Sequence, residues 1–232
     1  MACALLANSL LAVETFAADR AEAGAAPQAE LSALAGLSVR PAASDADENP
    51  DGIGYGPGLQ LSFQARGYVW SWLNAAIYYR RASHEIDLPR GAAGLDYQHI
   101  SIDKVLAYSL GARLEPTYHV SESFRTWVSV GVGWGRMTLD KVYVQESDRS
   151  YTVPDRAGVF VEVPLGFGAS YEVVPRWLAV QAEADIAHLS NHSGGLHGST
   201  PYVDSNGSLH FAGPMPTQVV SGSFLLGVSL LL

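Results

Sequence analysis

The sequence predicts an all-β fold: eight antiparallel strands closed into a barrel that spans a membrane. Three observations carry this. Segments with an uncharged side chain at every second position recur along the 232 residues. The chain is 48% hydrophobic but only 16% charged, against roughly 25% in an average soluble domain. Its body also lacks the run of about 18 apolar residues from which a spanning helix would be built. Lysine occurs only at 104 and 141. A soluble barrel covers its outside with lysine and glutamate, so the scarcity points to lipid instead.

The segment Val159–Tyr171 shows the pattern most clearly. Val159, Val161, Val163, Leu165, Phe167, Ala169 and Tyr171 hold the odd positions. Glu162, Gly166, Gly168 and Ser170 hold even ones, with Phe160 near the outer end. Strand side chains alternate between faces, so one wall is apolar and the other tolerates a charge. Pro164 removes one ladder donor, and a bulge is expected there.

Taken in order, residues 1–23 read as a secretory leader: Ala2–Val13 is apolar, and Ala21–Ala23 is a small-residue cleavage site. Residues 24–30 are a short N-terminal segment, and 31–232 form the barrel. Strand one occupies Leu31–Pro41, and a long polar loop follows over Ala42–Tyr55. Strand two alternates Leu59, Leu61, Phe63 and Ala65 against Gln60, Ser62, Gln64 and Arg66. A turn at Trp70–Ser71 leads to strand three, with Leu73, Ala75, Ile77 and Tyr79 against Asn74, Ala76, Tyr78 and Arg80. After a loop over Ser83–Gln98, strand four runs from about Ile100 to Tyr118. A turn at Val120–Ser123 gives strand five, with Val128, Val130, Val132 and Trp134 outward and Ser129, Gly131, Gly133 and Gly135 inward. Thr138–Arg156 is a third long loop. Strand six is followed by a turn at Val174–Pro175. Strand seven sets Leu178, Val180, Ala182, Ala184 and Ile186 against Gln181, Glu183 and Asp185. Leu189–Pro216 is the fourth long loop, and Val219–Leu232 closes the chain.

Long connections thus follow odd strands and short ones follow even strands, the arrangement of a transmembrane barrel with tight turns on one side. Trp70, Trp72, Trp127, Trp177, Tyr68, Tyr118 and Tyr171 fall beside the short turns, and Tyr55, Tyr79 and Trp134 toward the other rim. Two aromatic girdles are therefore expected. Eight strands leave an interior that side chains can fill. The inward candidates Arg66, Arg113, Glu115, Glu162, Glu183 and Asp185 predict a packed ionic network and no wide pore. Buried charges need partners.

With this pattern the chain resembles the small eight-stranded outer-membrane β-barrels of Gram-negative bacteria, over about Leu31–Leu232. Its ending, Q-V-V-S-G-S-F-L-L-G-V-S-L-L-L, is similar to the last strand by which such barrels are recognised for assembly. The resemblance implies residence in the outer membrane, contact with its lipids including lipopolysaccharide, and handling by the barrel-assembly machinery. It fits a non-enzymatic envelope or interaction protein acting through four outer loops.

A second reading begins at His188–Asn191, H-L-S-N. His188 and Ser190 share the lipid-facing side of strand seven at the outer rim, where a histidine can act as general base to a serine. The motif resembles that of outer-membrane lipid A deacylases. The resemblance implies Ser190 as nucleophile and His188 as base. That family's orienting acid is a glutamate; here Asp204 is the nearest acid downstream. No cofactor is expected.

Other features exclude more than they suggest. A net charge of −9 argues against nucleic acid as a partner, which needs basic patches. The single cysteine, Cys3, falls in the leader, leaving no disulfide in the body. His188, His192 and His197 have metal-like spacing but run into a glycine-rich loop, so no zinc site is expected. Asp45–Gly52 imitates a calcium loop but has Pro50 in place of its glycine and no closing glutamate.

Overall fold

The computed structural model describes residues 28–41, 54–87, 97–101, 104–146, 150–215 and 217–232. The expected leader (1–23), most of the segment 24–30 and the acidic loop Asp45–Gly52 lie outside the described residues. Thirteen strands occur among those described, in chain order β1 (Ala29–Val39), β2 (Gly54–Trp70), β3 (Leu73–Asp87), β4 (Tyr97–Ser101), β5 (Val105–His119), β6 (Phe124–Leu139), β7 (Val142–Glu146), β8 (Ser150–Val153), β9 (Arg156–Val174), β10 (Leu178–Ser193), β11 (Thr200–Val203), β12 (Leu209–Ala212) and β13 (Val220–Leu231).

Eight of them form a closed antiparallel ring in the order β1, β13, β10, β9, β6, β5, β3, β2. Closure comes from β1, which pairs with β2 on one side and β13 on the other. A ring leaves no unpaired edge, the condition for crossing lipid with strands. The outer wall is apolar around the ring: Leu37, Phe63, Ile77, Leu110, Val132, Leu165, Ile186 and Phe224 are all more than half exposed. These are the odd positions of β1 to β3 and β9, and the even positions of β5, β6, β10 and β13. In water so large an apolar surface would be unstable; in a bilayer it is the solvated face.

The strands are longer than their apolar cores suggest. β3 reaches Asp87, inside the stretch expected to be a loop from Ser83, while β5 begins at Val105 rather than near Ile100. Two expected loops carry strands. Within Thr138–Arg156, β7 pairs with β8 and with β4 in a three-stranded sheet. Within Leu189–Pro216, β10 continues to Ser193, a short 3-10 turn covers Gly195–His197, and β11 pairs with β12. These strands stand on the long-loop end of the ring.

Pro164 produces no bulge. Val130 lies opposite Leu165 and Gly133 opposite Glu162 in a single register, with only the pairs at Gly131 and Val132 missing from the β6–β9 ladder. The proline ring costs local hydrogen bonds without inserting a residue. A register shift does occur on β10 between Ser190 and Ser193, where Asn191 has a left-handed φ of 53°.

The aromatic girdles also need correction. Trp70, Trp72, Tyr118 and Tyr171 are exposed beside the short turns, and Trp134 and Tyr79 toward the far rim. Trp127, however, is only 2% exposed and points inward. Its parity matches Ser129, not Val128. Tyr68 also turns inward, its hydroxyl donating to Glu30 at 3.2 Å, and Tyr55 packs against the interior cluster described below.

Candidate functional site

The lumen is filled in layers. At the short-turn end, the Glu30 carboxylate receives Arg66 at 2.5 Å, and also Arg125 and Gln181. Arg66 also donates to Glu115, while its guanidinium lies 4.6 Å from the centre of a Trp127 ring. One layer up, Arg113 donates through both terminal nitrogens to Glu183, at 2.6 and 2.7 Å, and through Nε to Glu115 at 2.6 Å. The next layer holds Arg80, forked onto Asp185 at 3.0 and 3.1 Å, with the Ser223 hydroxyl donating to the same carboxylate at 2.7 Å. Tyr78 donates to Glu162 at 2.8 Å.

All six sequence-derived lumen residues (Arg66, Arg113, Glu115, Glu162, Glu183 and Asp185) are at most 6% exposed. Glu30, Arg80, Arg125, Arg40 and Tyr78 complete the filling and were not singled out from the sequence. Their signal was parity alone. Glu30 shares its face with Ser32 and Ser38, and Arg80 with Asn74 and Tyr78. Together the described lumen holds five arginines (40, 66, 80, 113, 125) and five carboxylates (30, 115, 162, 183, 185), all at most 8% exposed. Charge therefore balances inside, as burial demands.

The outer half of the lumen is mostly apolar. Met137, Phe160, Ala187 and Leu189 from the barrel wall join Val142, Val144, Tyr151, Val153, Leu196 and Met215 from the loops in one buried cluster. The loop sheets need an apolar floor, and the inner wall supplies it. Gly135 makes room, since a Cβ there would overlap the Phe160 ring. Arg40 lies at this level, its guanidinium 5.2 Å from the Phe160 ring centre.

At the outer rim, His188 is exposed on β10, opposite Val163 and Val220. Ser190 is half-buried opposite Val161. The two share the outward face, but no hydrogen bond joins them among the described residues. Asp204 does not serve His188. It sits in the β11–β12 hairpin, where Oδ1 accepts from the Asn206 and Ser208 backbone N–H groups and Oδ2 meets His210 at 3.0 Å. The Ser208 N–H, with His210 after it, holds the Asp204 carboxyl below its usual range. The acid is thus committed to closing its own hairpin.

The remaining histidines also separate. His192 and His197 meet edge-on at 5.0 Å beside Phe160, while His188 faces outward. Among the described residues no group of three His, Cys, Asp or Glu is placed to hold a metal. Burial lowers the His197 pKa.

Below His188 on the outer wall, a shallow groove of about 630 Å³ is floored by Ala184, Gly166 and Gly222 between Leu37, Phe167 and Phe224. It ends at Ile186, the outward neighbour of His188 on β10.

No protein-family model matches the sequence. Comparison with curated proteins finds no similar sequence. Solved structures do match. Neisserial surface protein A (NspA) is 16% identical, over 90% of this chain and 99% of that one, with a TM-score of 0.50. A major outer membrane protein from Thermus thermophilus is 15% identical, over 87% of this chain and 98% of that one, with a TM-score of 0.56. At such identities the likeness concerns the fold, and the fold is the eight-stranded outer-membrane β-barrel. Closed ring, lipid-exposed wall and single-sided tight turns agree with it, and the chain is an outer-membrane barrel protein.

Proposed function

We propose that this barrel is a non-conducting, non-enzymatic envelope protein that acts through its outer loops. The observation that carries this is the double closure of the lumen, an ionic network below and an apolar plug above. No continuous aqueous path suits such an interior. The loops above it are organised into sheets, with Tyr143, Val203, Leu209 and Phe211 exposed on them. Exposed apolar side chains on an ordered platform suit protein contact better than transport. The test is conductance of the refolded barrel in planar bilayers. Absence of discrete channel openings is expected; regular openings of porin size would sink the proposal.

One observation favours the second reading, hydrolysis of an acyl ester of lipid A. Ala184, Ile186, His188 and Ser190 follow one another along the outward face of β10, so an apolar groove leads up to a His-Ser pair at the rim. In this reading Ser190 attacks the ester carbonyl as His188 takes its proton, the acyl C–O bond breaks with that proton passing to the leaving sugar hydroxyl, and water then releases the acyl chain from Ser190. Asp204 has no part, because its carboxylate serves the hairpin. Mass spectrometry of lipid A from cells producing the wild type or Ser190→Ala separates the readings. Loss of one acyl chain with the wild type alone supports the esterase; identical lipid A in both leaves the interaction protein.

A further inference from the structure

The ladder register brings three residues into a row on the outer wall. Arg81 of β3 lies directly opposite Tyr108 of β5, and Tyr108 lies directly opposite Arg136 of β6. All three are outward positions. Arg81 and Arg136 are exposed and Tyr108 is half-buried. The Arg81 guanidinium already leans over the tyrosine, 5.7 Å from the ring centre. Neighbouring strands are about 4.8 Å apart, so the two arginine backbones stand roughly 10 Å apart with the phenol between them. Side chains of that length can both reach a single group above Tyr108.

The row has a defined depth. Going up the wall, the hydrocarbon-facing residues Ile77, Ala112 and Val132 are followed by Tyr79, Leu110 and Trp134, then by Arg81, Tyr108 and Arg136. Ser83, Leu106 and Thr138 come next. Apolar, then aromatic, then basic, then polar is the order of a bilayer boundary met from inside. The guanidiniums therefore lie at the level of lipid headgroups on the long-loop side.

The row also stands out by charge. In a chain of net charge −9, Arg40, Arg66, Arg80, Arg113 and Arg125 are held inside the lumen. Arg156 donates to the Gly213 carbonyl, and Arg176 belongs to a short turn at the opposite end. Glu85, two outward positions above Arg81, is 3.6 Å from Lys104. No carboxylate pairs with Arg81 or Arg136 among the described residues. Two cations thus flank a hydroxyl with no acid among the described residues to answer them.

We infer that Arg81, Tyr108 and Arg136 bind the phosphate of a phosphorylated outer-leaflet glycolipid, whose acyl chains lie on the apolar wall below. This goes beyond the loop-borne function proposed above and rests only on the barrel crossing the membrane. Guanidinium forks match phosphate geometry and stay charged at any working pH. The lipid source is favoured over free phosphate because the site opens sideways, onto the wall, at headgroup depth.

The test is native mass spectrometry of the full barrel in detergent micelles, titrated with bisphosphorylated lipid A. Wild type is expected to retain one lipid A, and Arg81→Gln with Arg136→Gln to weaken retention about tenfold. Wild type titrated with enzymatically dephosphorylated lipid A should behave like the double variant. Arg176→Gln, a cation at the other end, should change nothing. Retention unchanged in the double variant, or equal for phosphorylated and dephosphorylated lipid, overturns the site. So does inorganic phosphate that displaces the lipid at equal concentration, since the acyl chains would then contribute nothing. A heat-dependent gel shift in every variant shows that the barrels are folded, and the dephosphorylated arm uses the wild type throughout.

Discussion

Arg113 on β5 and Glu183 on β10 join strands three places apart in the ring through two parallel hydrogen bonds of 2.6 and 2.7 Å. The fork crosses the lumen rather than following its wall. Gln64 braces it from a third direction, accepting from Arg113 at 2.9 Å and donating to Glu183 at 3.2 Å. A barrel tied across its middle in this way is both sealed and held to one cross-section.

Removing Arg113 leaves Glu183 with only the longer contact to Arg80, at 3.5 Å, and the Gln64 amide, and unbalances the buried charge by one. Arg113→Met should destabilise the barrel by about 3–5 kcal/mol, the usual cost of orphaning one member of a buried pair. Removing both, as Arg113→Met with Glu183→Leu, should recover most of the loss, because an apolar pair of like volume needs no partner. Urea midpoints of heat-shifted gel mobility measure this. A double variant weaker than the single would show that Glu115 and Gln64 depend on the fork.

The ionic layers depend on absent side chains as well. A Cβ at Gly111 would overlap the Tyr78 ring and fall 2.6 Å from the Val132 carbonyl oxygen. The tyrosine, 1% exposed and bonded to Glu162, has no more freedom to give way than the backbone. Gly111→Ala should therefore cost about 1–3 kcal/mol by overpacking, read as a lower urea midpoint. Gly67, with nothing within 4 Å of its added Cβ, should accept alanine with almost no change.

The apolar plug makes a separate prediction. Phe160 is 1% exposed and joins the barrel to the loop sheets. Phe160→Ala should cost about 3–5 kcal/mol through the cavity it leaves. That loss should fall on the loops first, because the ionic layers below retain their partners. Faster protease cleavage in the loops, with the barrel's gel shift intact, is the expected result.

How much of this was legible differs from layer to layer. The ring was, because period-two alternation is imposed by lipid on one side and a filled lumen on the other. Val159–Tyr171 alone shows both walls. The pairing of charges was not. Parity placed Glu183 and Arg113 inside, but which arginine meets which carboxylate depends on strand stagger, which no local pattern encodes. Trp127 lies near a turn, as a girdle residue would, but its parity with Ser129 decides its direction and turns it inward. The strands β7, β8, β11 and β12 were missed because four or five residues in a polar context carry too little period. Asp204 is the nearest acid downstream of His188 in the chain, but its short-range partners Asn206, Ser208 and His210 claim it first.

The outer module should respond to acid in the window where histidine charges. The His197 backbone N–H donates to Gly194, its neighbour Leu196 is fully buried in the apolar plug, and the Leu196 carbonyl accepts from Met215. Burial holds the His197 pKa below its ordinary value, which in an unfolded chain is about 6.5. A folded-state pKa below the unfolded one means that the unfolded loop binds more protons as pH falls. The contribution to loop stability is thus complete above about 6.5 and shrinks as pH drops below it. Asp204 acts in the same direction but lower, its carboxyl losing its Ser208 and His210 partners only in the acid range of carboxylates. Amide hydrogen exchange over residues 194–215, corrected for the intrinsic pH dependence of exchange, should show protection that is level above about pH 6.5 and falls as pH drops below it. His197→Gln should flatten that fall while leaving exchange in the barrel strands unaltered. A wild-type profile that is flat across the window would remove His197 as the group responsible.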